Sequence, residues 1–132
     1  MNPDNKDKSN LLKYRLQQAK DTIEVVDILI INKKYSAAVN RIYYGIFYSL
    51  LALALKFDFE SSKHQQLIGW FNKEFIQTGK VEKNYGRVLR KAYENRTTGD
   101  YDTFIEFEKN DVVQLFEEMK QFIVRIEKLL RE

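Results

Sequence analysis

The sequence predicts an all-α protein, a single helical bundle of about five mostly antiparallel helices, and three observations support this prediction. The fourteen residues Ile42–Leu55 contain no charged side chain, as expected for a helix that other helices surround on nearly every side. Two longer segments, 10–31 and 109–130, carry apolar residues at alternating steps of three and four, which is the spacing of one helix face. The loops between the helical segments are short, so neighbouring helices are expected to run antiparallel.

In the first half of the chain, residues 1–9 are expected to form a flexible tail. The bundle domain is expected to cover residues 10–132. The first helix is expected over about 10–31, and the central helix over about 35–57. The charge-free run is shorter than the roughly 20 apolar residues of a bilayer span. Arg41 and Lys56 also flank it, so we expect no association with a membrane.

The second half of the chain predicts three more helices. Ser62–Gln65 has the pattern of a capping box that opens the third helix, and Thr78-Gly79 fits a glycine C-cap at its end. The fourth helix is expected over about 82–96, and a turn at 97–100 precedes the last helix at about 109–130. The apolar stripe of the last helix fits either core packing or a dimer surface; its members are Val112, Phe116, Met119, Ile123, Ile126 and Leu130.

Composition excludes several classes of function. The chain has no cysteine and one histidine, so neither disulfides nor a zinc site are expected, and we predict no metal. Its five glycines form no phosphate-binding loop or dinucleotide fingerprint, and we predict no cofactor. A net charge of +3 permits a nucleic acid partner without requiring one. The polar N-terminus has no signal-peptide pattern, which predicts a cytoplasmic protein.

Arg96 stands at an unusual position on the fourth helix. Counting back from it by four, seven and eleven residues reaches Ala92, Leu89 and Tyr85, all on the predicted inward stripe. A guanidinium at that place cannot lose its charge, so it needs a partner or faces another molecule. The alternative is a satisfied helix end, since the helix dipole favours a cation in the last turn.

The same helix carries a basic ladder. Steps of four, three and four place Lys83, Arg87 and either Arg90 or Lys91 on one face. Such a face can follow the phosphates of a nucleic acid or nucleotide. A solvated helix surface would show the same pattern.

Polar residues also mark the start of the central helix and of the third helix. Asn40, Arg41 and Tyr44 lie about one turn apart, and their hydrogen-bonding groups need partners or line a cleft. His64, the single histidine, precedes the apolar stripe of the third helix. A histidine at such a position is usually structural, and a binding role is the alternative.

Three blocks of the sequence, taken in order, resemble the HEPN superfamily and specifically its UPF0332-like branch. They are YSAAVNRIYYGIFYSLLALAL, SSKHQQLIGWFNKEFIQTGKV and YGRVLRKAYENRTTGDYDTF, and the resemblance covers roughly Leu11–Leu130. It implies a helical bundle of four to five helices that is commonly a homodimer. It also implies a toxin–antitoxin or defence pair, in which many members stand beside a minimal nucleotidyltransferase.

The resemblance further implies a site. In active members, an arginine followed four to six residues later by a histidine forms a metal-independent ribonuclease centre. Arg96 matches the arginine, Thr97 takes the polar position after it, and Tyr101 stands where the histidine belongs. A tyrosine of pKa about 10 is ionised in only about one molecule per thousand at pH 7, so Tyr101 suits a general acid better than a base. The base is unassigned, and His64 fits only if the fold brings it close.

Three interpretations follow, and the sequence leaves open whether the protein is an enzyme. The principal one is a HEPN module that binds RNA, a nucleotide or a nucleotidyltransferase partner through a cleft around Arg96 and Tyr101, with Tyr101 as a candidate for modification by that partner. The first alternative is an active ribonuclease toxin with a variant Arg-x4-Tyr site. The second alternative is a dimerising scaffold without catalysis.

Overall fold

The structure, a computed structural model, describes residues 3–61, 63–96 and 106–132, with side chains from residue 6 onward. Within that part of the chain there is no strand, and five α-helices follow one another. They are α1 Pro3–Ile31, α2 Tyr35–Lys56, α3 His64–Phe71, α4 Lys83–Asn95 and α5 Lys109–Arg131. The predicted all-α bundle is confirmed.

Helix α2 forms the centre of the bundle and contacts each of the other four helices. Tyr43, Ile46, Leu50 and Leu53 on this helix are fully buried, which explains why the sequence here carries no charge. By length and composition alone α2 resembles a membrane span, but 67% of its most apolar window is buried inside the bundle. The apolar character of α2 therefore serves the protein core.

Helix α1 begins at Pro3, about two turns before the expected start at residue 10. Proline is well tolerated in the first turn of a helix because its missing N–H has no intrahelical partner there. The turns before Leu11 contain no large apolar side chain, so the apolar pattern could not reveal them. The flexibility assigned to residues 1–9 and the domain boundary at residue 10 stay predictions.

The start of α3 differs from the predicted capping box. The helix begins at His64 with Lys63 as its N-cap, and no described side chain makes a capping hydrogen bond; Ser62 lies outside the described residues. Ser61 provides the local polar contacts instead, because its hydroxyl donates to Gln66 Oε1 and accepts the N–H of Lys63.

A π-helical segment, Asn72–Ile76, continues α3 and shifts the helix register by one residue. The N–H of Gln77 bonds to the carbonyl of Asn72 at 2.8 Å, which closes the wider turn. Gly79 then takes a positive φ of 79°, so the predicted glycine terminus is confirmed. The chain reverses here and leads into α4.

Helix α5 packs its apolar stripe into the core. Its buried members include Val112, Met119, Ile123 and Ile126, so the stripe serves core packing and the dimer surface suggested for it is wrong. Lys56 at the end of α2 donates to the carbonyls of Leu129, Leu130 and Glu132. The C-terminal ends of α2 and α5 therefore lie together, and these two helices run in the same direction.

Candidate functional site

Three helices meet at the end of the bundle where α2 begins. The side-chain amide of Asn40 on α2 donates to the backbone carbonyl of Arg96 at the end of α4, at 3.0 Å. The hydroxyl of Tyr43, one turn further along α2, is hydrogen-bonded to Nδ1 of His64 at the start of α3. His64 and Arg96, which are 32 positions apart in the chain, thereby both lie against the ring of Tyr43.

Arg96 lies over aromatic rings and is partly buried. Its guanidinium carbon is 3.8 Å from the ring centre of Tyr93 and 5.7 Å from that of Tyr43. Nη1 donates to the carbonyl of Tyr93 at 2.8 Å, so the arginine does cap its own helix. Arginine has five N–H donors, and in the described part of the chain no carboxylate forms an ion pair with it. Among the described residues, only Nη1 of this guanidinium has a hydrogen-bond partner.

Tyr43 is fully buried at the centre of this site. Burial raises the pKa of its hydroxyl well above the ordinary value, and the nearby charge of Arg96 opposes that shift only in part. The hydroxyl therefore stays protonated at neutral pH and can exchange a hydrogen bond with His64 in either direction.

His64 is stacked on Phe47, with ring centres 4.1 Å apart and planes inclined by 4°. Burial, and then the positive charge of Arg96, lower the pKa of His64 below its usual 6.5. The imidazole is therefore neutral at pH 7, with Nδ1 bonded to Tyr43. Among the described residues nothing hydrogen-bonds to Nε2, and the tautomer decides whether that nitrogen donates or accepts a proton.

A second cation extends the positive charge of the site. Nε and Nη2 of Arg41 donate to Asn40 Oδ1 at 3.3 and 3.2 Å, and its guanidinium lies 4.6 Å from the ring centre of Tyr44. Asn40 thus contacts both arginines. Within the described ranges no carboxylate pairs with Arg41 either. The part of the site beside Asn40 and the two arginines therefore suits a phosphate group.

The basic ladder divides between two sides of α4. A groove lies between α4 and the α3–π segment, which is α3 together with its π-helical continuation. This groove is lined by Lys83, Arg87 and Arg90. Lys91 instead forms an ion pair with Glu118 of α5 at 3.6 Å. The third basic residue that lines this groove is therefore Arg90 and not Lys91.

Thr97 and Tyr101, the other members of the Arg-x4-Tyr pattern, lie outside the described residues, as does the predicted turn at 97–100. No group of three or more potential metal ligands occurs among the residues that are described. The binding and catalytic roles assigned to individual residues stay predictions.

Two parts of the site were missed at the level of sequence. Tyr43 was not singled out, although a tyrosine in a charge-free helix needs a partner for its hydroxyl. Tyr93 was not singled out either, and its ring lies under the guanidinium of Arg96. The need of Tyr43 for a partner was a usable signal, whereas the identity of that partner depends on the fold.

Comparisons with known proteins agree with this architecture. The family model described as "HEPN domain" matches residues 12–129. A protein of Thermotoga maritima named "UPF0332 protein" is 36% identical over 126 residues, which is 96% of each chain. Two Methanocaldococcus jannaschii proteins, each named "Putative toxin", are 34% and 32% identical over 97% and 90% of this chain and 95% and 81% of their own. The chain belongs to the HEPN domain family, in its UPF0332-like branch.

Proposed function

We propose that this HEPN protein is a toxin that binds RNA at the site formed by Arg96, His64 and Arg41. The observation that carries the proposal is the guanidinium of Arg96, which is held on Tyr93 and lacks a carboxylate partner in the described part of the chain. A planar, permanently charged fork of this kind matches phosphate oxygens. The names of the two Methanocaldococcus jannaschii relatives support the toxin assignment.

Fluorescence anisotropy with labelled RNA tests the binding. We expect Arg96→Ala to weaken binding about tenfold or more, because a hydrogen bond to a charged group contributes about 1.5–3 kcal/mol. Arg131→Ala is the matched control, since Arg131 lies at the opposite end of the bundle with its side chain 76% exposed. Equal affinities for the wild type and Arg96→Ala would refute the proposal.

Expression in a bacterial host tests the toxin role. Wild-type protein should slow growth, and Arg96→Ala should restore it while the protein accumulates to the same level. Equal growth of cells expressing either protein would contradict toxicity through this site.

RNA cleavage is a second candidate function, and the position of His64 favours it. In the tautomer with its proton on Nδ1, Nε2 can take the proton of a 2′-hydroxyl. The 2′-oxygen then attacks phosphorus, the bond to the 5′-oxygen breaks, and that oxygen takes a proton from an acid, for which Tyr101 is the candidate. Arg96 stabilises the charge on the phosphorane, and the products carry a 2′,3′-cyclic phosphate and a 5′-hydroxyl.

The pH dependence of cleavage in chelator identifies the base. With His64 as base, the rate should rise with a midpoint below pH 6.5 and level off at neutral pH, because its pKa is lowered. A rate that still rises above pH 8, or that is unchanged in His64→Gln, would exclude His64 as the base.

The expected partners belong to the same proposal. A homodimer and a minimal nucleotidyltransferase would both approach this end of the bundle, where Tyr101 follows Arg96 in the chain. Size-exclusion chromatography with light scattering tests the homodimer, and a monomer at all concentrations would contradict it. Intact mass after incubation with the nucleotidyltransferase and ATP, compared with Tyr101→Phe, tests modification.

A further inference from the structure

A groove runs beside the Arg96–His64 site, between the α3–π segment and α4. Its volume is about 630 Å³. Three residues spaced by four, Ile68, Asn72 and Ile76, form one wall, and the basic side chains of α4 form the other. The residues that line it are Ile68, Asn72, Ile76, Gln77, Lys83, Gly86, Arg87 and Arg90.

The charge of the groove is unbalanced. The cations Lys83, Arg87 and Arg90 are exposed, and among the described residues no carboxylate lines the groove. Within the described residues, only Arg90 has an ion pair, a 3.9 Å contact to Glu94 between exposed side chains, which contributes little. By contrast, Lys91, one residue further, is paired with Glu118. Within the described residues, carboxylates therefore do not fully neutralise Lys83, Arg87 and Arg90.

The wall that Ile68, Asn72 and Ile76 form suits nucleobases. Ile68 and Ile76 offer apolar surface, and the amides of Asn72 and Gln77 offer donors and acceptors for base edges. Gly86 adds no side chain to the groove, and a Cβ there would lie 3.4 Å from Asn72 Oδ1 and from Ile76 Cγ1, in contact with the opposite wall. Cations along one wall can contact the phosphates of a single strand of RNA, and the apolar and amide groups of the other wall can contact its bases.

The groove leads toward the Arg96–His64 site. Lys83 and Arg90 are seven residues apart on α4, about 10 Å along the helix, a span that suits successive phosphates better than one. Arg96 lies about 9 Å beyond Arg90. On the opposite wall, His64 lies one helical turn before Ile68.

We propose that this groove is the track that binds a single strand of RNA and directs it to Arg96 and His64. The proposal rests on the proposed function, because it takes the ligand of that site to be RNA. Lys83, Arg87 and Arg90 bind three consecutive or near-consecutive phosphates, and the bases lie against the wall formed by Ile68, Asn72 and Ile76.

The salt dependence of binding tests the track. Neutralising one phosphate of a single strand contributes about −0.7 to the slope of log K against log[salt]. The experiment titrates a labelled single-stranded RNA decamer at 0.05 to 0.3 M salt. Lys83→Gln, Arg87→Gln and Arg90→Gln should each reduce the slope by about 0.7, and the triple variant by about 2, which is a loss of about 100-fold in affinity at 0.1 M salt.

Matched variants separate the possible outcomes. Lys91→Gln removes the same charge from the same helix outside the groove and should leave the slope unchanged. Circular dichroism checks that the variants fold, which we expect because the replaced side chains are exposed. A triple variant that binds like the wild type would overturn the track, and so would a mononucleotide that binds as tightly as the decamer.

The track and the proposed function can fail separately. Loss of binding in Arg96→Ala with none in the triple variant would overturn the track and leave the RNA site standing. Loss in the triple variant with none in Arg96→Ala would support the groove as an RNA surface and refute the Arg96 site.

Discussion

Replacing Tyr43 by phenylalanine should remove one hydrogen bond and leave the packing of the bundle unchanged. The ring of Tyr43 is fully buried and lies against Phe47, His64 and Tyr93, contacts that a phenylalanine ring preserves. A hydrogen bond of this kind contributes about 0.5–1.5 kcal/mol net. We therefore expect the free energy of unfolding to fall by about 1 kcal/mol, which corresponds to a decrease in Tm of about 3–5 °C for a domain of this size.

Urea denaturation at pH 7, followed by circular dichroism, measures this loss. Tyr44→Phe is the matched control, because Tyr44 is the adjacent tyrosine and its hydroxyl makes no hydrogen bond to any described residue; its effect should stay within about 0.5 kcal/mol. In a double-mutant cycle, His64→Gln should cost about 1 kcal/mol less in the Tyr43→Phe background than in the wild type. Equal losses for the two tyrosines, or additive losses in the cycle, would show that the Tyr43–His64 contact contributes nothing.

Three further predictions concern pH, charge and helix capping. The folded state holds the pKa of His64 below 6.5, so the unfolded chain binds the proton more readily. The free energy of unfolding should therefore fall as the pH drops from 6.5 through the folded pKa. Urea titrations across this range should show the fall, and His64→Gln should flatten it. Asn40→Asp places a carboxylate against Arg41 and the end of α4, and should weaken RNA binding by anisotropy about tenfold, or about 1.4 kcal/mol; unchanged affinity would exclude a phosphate here. Lys56→Met loses the bonds to the last carbonyls of α5 and should lower the free energy of unfolding in urea by about 1–2 kcal/mol, whereas an unchanged value would mean that water replaces the lysine.

Much of the fold could be predicted because it depends on patterns local to each helix. The bounds of α2, α4 and α5 agree with expectation to within one residue, since their apolar stripes end where the helices end. The early start of α1 and the π-helical segment at 72–76 escaped prediction. The first turns of α1 have no apolar pattern. The π-helical segment requires only one additional residue in a turn, and no residue type in the sequence marks that change.

The candidate site was predictable only in part, for a physical reason. Arg96 could be singled out because a cation on an inward stripe conflicts with the pattern of its own helix. His64 could not be placed beside it, because their proximity depends on how α3 and α4 pack on α2. The choice between Arg90 and Lys91 also depended on packing, since adjacent residues on a helix point about 100° apart and the sequence does not show which side faces a groove.

Nuclear magnetic resonance of the imidazole of His64 tests the central claim most directly, because this is the single histidine of the chain and its signals need no assignment. We predict a pKa below 6.5 in the free protein, and saturable shifts of both imidazole nitrogens as single-stranded RNA is added, with the same dissociation constant as in anisotropy. The shifts should vanish in Arg96→Ala. RNA that binds by anisotropy while the signals of His64 stay unmoved would contradict the claim that Arg96 and His64 form the RNA site.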